Sequence, residues 1–152
     1  MERLAEQVQA TQKVLRSSES DWSTCSSSIA DLAEAIESLE TVEGYSNAVQ
    51  VLLGLSKEIE PQLTSIRSKL VKDVCDHLLR IVAVTGRDFG KMANALLPQI
   101  VGMSRNASAA IRQPGAKLLS KLSELVRYDL TLLKKIYMQS VQGADVCIFS
   151  LF

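Results

Sequence analysis

Apolar residues recur along this chain at spacings of three and four, which is the period of an amphipathic helix and not of a strand. The clearest case covers residues 65–85, where the apolar positions share one broad face: Ile66, Leu70, Val71, Val74, Leu78, Ile81 and Val82. Alternating apolar runs and Asn-Gly hairpin turns, which are typical of β-structure, are missing from the sequence. The pattern therefore predicts an all-α protein.

Short polar stretches, glycines and prolines divide this pattern into seven predicted helices. The first lies at about 2–18, and the second begins near the serines at 23–28 and carries its apolar positions as far as Leu39, with Gly44 ending the hairpin. The third, fourth and fifth lie at about 46–59, 65–85 and 89–103. The sixth follows the connection at 104–106 and reaches about Arg127, and the seventh runs from Asp129 or Thr131 to about Gly143. We expect Pro61 to end the third helix, because proline has no N–H to donate. Gly86 is a natural C-terminal cap for the fourth helix.

The predicted helices pair into hairpins at about 2–43, 46–85 and 87–127, with a partial fourth at 129–152, in one domain over residues 1–152. Ile66-Arg67 and Ile111-Arg112 stand at matching places in two successive hairpins, 45 residues apart. That period falls within the 40–47 residues of HEAT and armadillo repeats. The pattern favours about three and a half stacked antiparallel hairpins, but a plain helix bundle has the same periodicity and stays open.

The net charge of zero hides an asymmetry that bears on possible partners. Residues 1–60 hold eleven acidic and four basic side chains, whereas residues 61–152 hold six acidic and thirteen basic ones. The basic part of the chain is suited to an acidic partner, unless the charge simply drifts along the surface. The three cysteines are odd in number and far apart, so they indicate neither a disulfide framework nor a zinc site. Since the N-terminus also shows no apolar signal segment, we expect a reducing, cytoplasmic setting. No stretch approaches the roughly 18 uninterrupted apolar residues of a membrane span, so we expect none.

The sequence argues against most catalytic and cofactor chemistry. His77 is the only histidine, which disfavours a Ser-His-Asp or Cys-His site, and Cys75 lies two residues from it on a helix, facing another side. Asp88-Phe89-Gly90 matches a kinase motif without the glycine-rich and His-Arg-Asp loops that kinases also need. One tryptophan and zero net charge disfavour nucleic-acid binding. We expect no enzyme activity, cofactor, metal or small-molecule substrate.

Four stretches within residues 20–129 resemble a TOG domain of the type found in the N-terminal half of CLIP-associating proteins (CLASPs). In chain order they are Asp21-Trp22, the run from Ser65 to Cys75, Gly86-Arg87-Asp88-Phe89 with Ala93–Pro98, and Asn106 with Gly115. The resemblance implies a flat stack of HEAT hairpins whose internal turns line one edge, and that edge binds tubulin in the family. A full TOG domain has six such repeats, so this chain corresponds to part of one.

The resemblance implies a cytoskeletal protein whose partner is tubulin or the microtubule, bound through the internal turns of the hairpins. The implied binding residues are Trp22, Ser65, Arg67, Lys69, Arg105 and Arg112. The chain departs from the family after Trp22, where no basic residue follows, and at Ala109, where the family usually has lysine. These departures predict weaker tubulin binding. A HEAT-type scaffold for another protein remains the alternative, favoured if Trp22 is buried and disfavoured if it is exposed.

Overall fold

A computed structural model describes residues 1–126 and 130–140 of the chain. Within these ranges there are eight α-helices, one short 3-10 helix and no strand. The α-helices are α1 Glu2–Arg16, α2 Trp22–Glu37, α3 Val42–Leu53, α4 Ser56–Leu63, α5 Ser68–Thr85, α6 Gly90–Ser104, α7 Ala109–Leu125 and α8 Leu130–Ser140. The 3-10 helix, Gly86–Phe89, joins α5 to α6. The prediction of an all-α fold of stacked helical hairpins is confirmed.

The helices form two layers, as a HEAT-like solenoid requires. In one layer α5 packs between α2 and α7. In the other layer α3 and α4 lie between α1 and α6, and each of them packs on both. Each helix of the first layer also packs on the second layer, α2 on α1, α5 on α3 and α4, and α7 on α6. Because every unit contacts only its neighbours along the stack, the architecture is a short solenoid and not a bundle around a central axis.

Local chemistry explains where several helices begin and end. The Asp21 carboxylate accepts a hydrogen bond from the Thr24 N–H at 2.7 Å, and the Thr41 hydroxyl accepts one from the Gly44 N–H at 3.0 Å. These side chains cap α2 and α3 by satisfying N–H groups that a helix start leaves without a partner. Gly86 ends α5 with a φ of 54°, which only glycine adopts without strain, so its predicted role as a cap is confirmed.

Two predicted helix boundaries in this region are wrong. Gly44 does not end the first hairpin but lies in the first turn of α3, and Pro61 lies inside α4 instead of ending the helix before it. The third predicted helix is therefore two helices, α3 and α4, separated at Gly54. Burial explains why α4 continues past its proline, because Ile59 and Leu63 are both fully buried and hold the helix against its neighbours.

The 45-residue register between Ile66-Arg67 and Ile111-Arg112 is also wrong. Helix α5 begins at Ser68 and α7 at Ala109, so equivalent positions in these helices are 41 residues apart. Ile66 accordingly lies in the turn before α5 and is 96% exposed, whereas Ile111 lies in the first turn of α7 and packs against the core. The repeat length still falls in the range of HEAT repeats.

The core is a continuous apolar cluster that runs through both layers, and almost every apolar position expected to face it does so. The exceptions are Ile66 and Leu125, which is 42% exposed at the end of α7. Helix α8 packs on α6, with Leu133 buried. The division of the chain into three and a half repeats stays a prediction, and the apolar run from Val146 to Phe152 lies outside the described residues.

Candidate functional site

The internal turns of the three hairpins form one edge of the solenoid, which we call the turn edge. Its turns are residues 17–21, 64–67 and 105–108, and they precede α2, α5 and α7, which lie side by side in one layer. The second and third turns are neighbours, because Thr64, Ser65 and Asn106 line the same pocket. The first and second turns lie on the same side of the stack, because α2 and α5, which begin directly after them, pack side by side.

Trp22 is the first residue of α2 and is partly buried, with its ring packed against the core. Its helix is capped by Asp21, and the hydrogen bond from the Thr24 N–H holds the pKa of that carboxyl below its usual value. The positive charge of Arg67 lowers the pKa of Asp21 further. Trp22 is therefore an anchor of the first turn that leaves part of its ring on the surface, and its burial favours neither of the two functional hypotheses.

The second turn presents its side chains outward. The Ser65 hydroxyl accepts a hydrogen bond from the Arg67 N–H at 3.1 Å, which closes a tight local turn. Ile66 stands between them, and its 96% exposure is the largest of the exposed apolar side chains in the described residues. Arg67 is exposed as well. A single exposed isoleucine is common on protein surfaces, so Ile66 beside Arg67 offers an apolar and a cationic group to a partner without requiring one.

Lys69 is exposed one residue into α5 but is not a lone charge. Its ammonium group forms an ion pair with Asp73 at 3.1 Å, and Lys72 forms a matching pair with Asp76 at 3.2 Å. Lys69, Lys72 and Asp76 line a shallow groove between α5 and the start of α7, whereas Asp73 is turned towards Ser26 of α2. Lys69 is the exposed member of its pair, and ion pairs at the surface are worth less than ~1 kcal/mol. An acidic group of a partner can therefore replace Asp73 as the ion-pair partner of Lys69 at small cost.

The third turn uses its arginines partly for its own structure. Arg112 Nη1 donates to the backbone carbonyls of Asn106 and Ala107, each at 3.0 Å, and these bonds hold the turn against the start of α7. Arg105 ends α6 and is partly buried, and its side chain takes part in further interactions. Ala109, where the family usually has lysine, is exposed, so that departure lies on the surface of the edge.

Ile66 is a surface residue that the hydrophobic pattern did not predict. Its spacing from Leu70 and Val74 matches a helix face, and nothing in that periodicity shows that the helix starts only at Ser68. One local signal was present, because Ser65 followed two residues later by Arg67 fits a serine turn that delays the helix. The pocket between the second and third turns has no sequence signal, because its walls come from separate helices.

A buried polar cluster joins α2 to α5 next to the turn edge. The Ser26 hydroxyl donates to Asp73 at 3.2 Å and lies 3.5 Å from His77 Nε2, while His77 Nδ1 is buried without a hydrogen-bond partner. This is not a catalytic triad, because the carboxylate holds the serine and not the histidine. Burial also raises the pKa of the Cys75 thiol to about 12, which leaves it unreactive.

Acidification is expected to destabilise the fold through His77. Its pKa is lowered below the usual 6.5, first by burial and then by the charge of Arg80, against the opposite effect of Asp73 and Asp76. Because the folded protein binds the proton more weakly than the unfolded chain, stability is full above pH 6.5 and falls as the pH drops below it. Urea midpoints between about pH 7.5 and 5.5 should show this decline, since histidine titrates in that window.

The matched variant for this experiment is His77→Gln, which keeps a polar side chain near Ser26 but does not titrate. Its urea midpoint should be flat over the same pH window, because no other histidine is present. A pKa of His77 above 6.5, measured by NMR titration of the ring protons, would contradict the prediction. Equal pH slopes for the wild type and the variant would do the same.

No helix within residues 1–126 and 130–140 is long and apolar enough to cross a membrane. The same part of the chain contains no group of three or more His, Cys, Asp or Glu side chains placed to hold a metal ion.

Comparison with known families agrees with the fold and with the four stretches that carry the resemblance. Comparison with curated proteins gives no match. The family model described as CLASP N terminal matches residues 4–145, which is nearly the whole chain. The family is one of HEAT-like repeat domains and not of enzymes. By its sequence, its helical stack and this match, the chain belongs to the CLASP N-terminal family.

Proposed function

We propose that this chain binds tubulin through the turn edge. The family to which it belongs is one of TOG-like domains associated with microtubules. The observation that carries the proposal is the second turn, where a 96% exposed Ile66 stands beside an exposed Arg67. An apolar side chain next to a cation suits a partner surface that is acidic around a small apolar depression. Binding would take place in the cytoplasm, at the cytoskeleton.

The partly exposed ring of Trp22 supports the same proposal. Because α2 packs beside α5, Trp22 at the start of one helix and Ile66 and Arg67 just before the other offer an aromatic, an aliphatic and a cationic group from successive turns of the edge. Aromatic and arginine side chains are the groups most often found at the centre of protein interfaces. Trp22, Ser65, Arg67, Lys69, Arg105 and Arg112 all lie in or next to the three turns, and their role in binding is a proposal.

The first experiment measures binding of purified αβ-tubulin to the wild-type chain by fluorescence anisotropy at low salt. We expect a Kd of tens of micromolar or tighter, which corresponds to about −6 kcal/mol or better. Ile66→Ala should weaken binding about tenfold, which corresponds to about 1.4 kcal/mol. Trp22→Ala should weaken it more, because truncation of a hot-spot aromatic commonly costs ~2 kcal/mol or more. Arg67→Ala should weaken binding several-fold, and its effect should shrink as salt rises, because exposed charges are screened.

Control variants for this experiment lie at the opposite end of the hairpins. Val42 is 78% exposed at the start of α3, so Val42→Ala removes a comparable apolar surface away from the turn edge. Arg87 is exposed in the 3-10 helix after α5, so Arg87→Ala removes a comparable charge there. Both controls should bind tubulin as the wild type does. Equal losses in Ile66→Ala and Val42→Ala would mean that the turn edge is not the binding surface.

The alternative is a HEAT-type scaffold that binds another protein. It is favoured by the departures from the family, since Ser23 after Trp22 and Ala109 in the third turn are exposed and uncharged. If the wild-type chain shows no interaction with tubulin at tens of micromolar, tubulin binding is rejected and the scaffold takes its place. The same variants then identify the surface used by the other partner.

A further inference from the structure

An open pocket of about 390 Å³ lies between the second and third turns on the turn edge. Its apolar wall is formed by Leu63, Pro98, Met103 and Ile111, which come from α4, α6 and α7. Thr64, Ser65 and Asn106 make part of its rim polar. An apolar floor inside a polar rim is the arrangement of a pocket that receives a single anchoring side chain at a protein interface.

We propose that this pocket holds an apolar side chain of an acidic protein partner, and that Gln99 accepts a hydrogen bond from the partner's backbone beside that side chain. The inference rests on the proposed function and specifies how the turn edge recognises its partner. Ile66 projects from the edge towards the partner, while the pocket next to the same turn receives a side chain from it. The two contacts together are reciprocal, and neither depends on charge.

Gln99 points to a ligand independently of the pocket's shape. Its Oε1 atom is buried and has no hydrogen-bond partner, although the residue lines the pocket. Buried acceptors are nearly always paired in folded proteins, and an unpaired one is costly. Because this atom has no exposed surface in the free chain, the Gln99 side chain would have to rotate into the pocket, where a backbone N–H at the base of an inserted side chain would satisfy the acceptor. The group that meets Gln99 Oε1 therefore has to be a hydrogen-bond donor of the partner protein.

The charges around the pocket decide which kind of partner fits. Arg67 ends the second turn and Lys69 follows it in α5, while Arg105 begins the third turn and Arg112 follows it in α7. Asp73 neutralises Lys69, and Arg67 and Arg112 still add positive charge beside the pocket without any contribution from Arg105. An apolar side chain surrounded by carboxylates complements this arrangement. A second copy of the chain would bring its own cations to the same place, so self-association through the edge is disfavoured.

Gly102 allows the pocket to be filled without disturbing the fold. It lies inside α6 and lines the pocket, and a Cβ atom added there would meet nothing within 4 Å. Alanine at this position should therefore be tolerated and leave most of the pocket open, whereas leucine or phenylalanine would occupy it. All three substitutions also replace a glycine inside a helix, which favours folding. Loss of binding by the larger variants cannot then be ascribed to unfolding.

The experiment measures αβ-tubulin affinity for the wild type, Gly102→Ala, Gly102→Leu and Gly102→Phe, with circular dichroism and melting temperature for each. We expect Gly102→Ala to bind within about twofold of the wild type, and the leucine and phenylalanine variants to bind about tenfold more weakly. Gln99→Met, which keeps the length of the side chain but removes the acceptor, should weaken binding about fivefold.

Salt separates this contact from the charged ones. The ratio between wild type and Gly102→Phe should stay constant as salt rises from about 50 to about 300 mM, because a desolvated apolar contact is not screened. Wild-type affinity for Gly102→Phe with a normal fold overturns the pocket and leaves the proposed function standing. Absence of tubulin binding by the wild type overturns both. If the wild type sediments as a dimer that Gly102→Phe dissociates, the occupant is a second copy and the proposal is overturned.

Discussion

Phe89→Ala is expected to lower the free energy of unfolding by about 3–5 kcal/mol, the usual cost of removing a buried aromatic ring. Phe89 is fully buried, although it belongs to a four-residue 3-10 helix in a connection. This short helix packs on α3, α5 and α6, so the ring joins two successive hairpins. Its removal leaves a cavity between repeats that the packed helices can fill only partly.

Urea denaturation followed by circular dichroism measures this loss, and the same 3-10 helix supplies the control. Asp88 is exposed next to Phe89, so Asp88→Ala should change the free energy of unfolding by less than about 0.5 kcal/mol. A loss below about 1.5 kcal/mol for Phe89→Ala would mean that the hairpins repack around the missing ring, since truncations that cheap occur where the site collapses. The apparent role of Phe89 as the link between hairpins would then be rejected.

Gly115→Ala is expected to destabilise the fold by about 1–3 kcal/mol, the usual cost of overpacking a close contact. An added Cβ atom at Gly115 would lie 2.7 Å from the Cβ of Met103 and 2.9 Å from the backbone N of Ser104. Backbone atoms cannot rotate away, so α6 and α7 would have to move apart. The gain in helix propensity from glycine to alanine, about 1 kcal/mol, only partly offsets this cost.

Gly102→Ala is the matched control, because the same substitution is made in the neighbouring helix with open space around it. It should stabilise the fold by up to about 1 kcal/mol. The two substitutions share the same gain in helix propensity but are expected to change the free energy of unfolding in opposite directions. The difference between them therefore measures the effect of the close approach of α6 and α7. If Gly115→Ala is as stable as the wild type, the two helices do not pack as closely as the structure requires.

The contact at Gly115 also matters for the turn edge. Met103 both meets Gly115 and lines the pocket between the second and third turns. A shift of α6 away from α7 would therefore alter the pocket and the third turn together. We expect the packing of the last described hairpin and the shape of the edge to be coupled for this reason, and the Gly115 variant links stability to binding.

Helix content, fold class and family follow from local information. The 3.6-residue period reports which side of a helix faces the core, and the caps at Asp21 and Gly86 are decided by their own side-chain and backbone chemistry. The chain's membership of the CLASP N-terminal family rests on a sequence match over residues 4–145. These features need no knowledge of which helix packs on which.

Boundaries, register and the details of the edge depended on tertiary structure. Pro61 reads as a helix end, but the burial of Ile59 and Leu63 outweighs the lost hydrogen bond. Ile66 reads as a core position, but a serine turn moves it out of α5 and onto the surface. Local patterns report the preference of each segment, whereas the exposure of Ile66 and the pocket beside Gln99 arise from helices far apart in sequence.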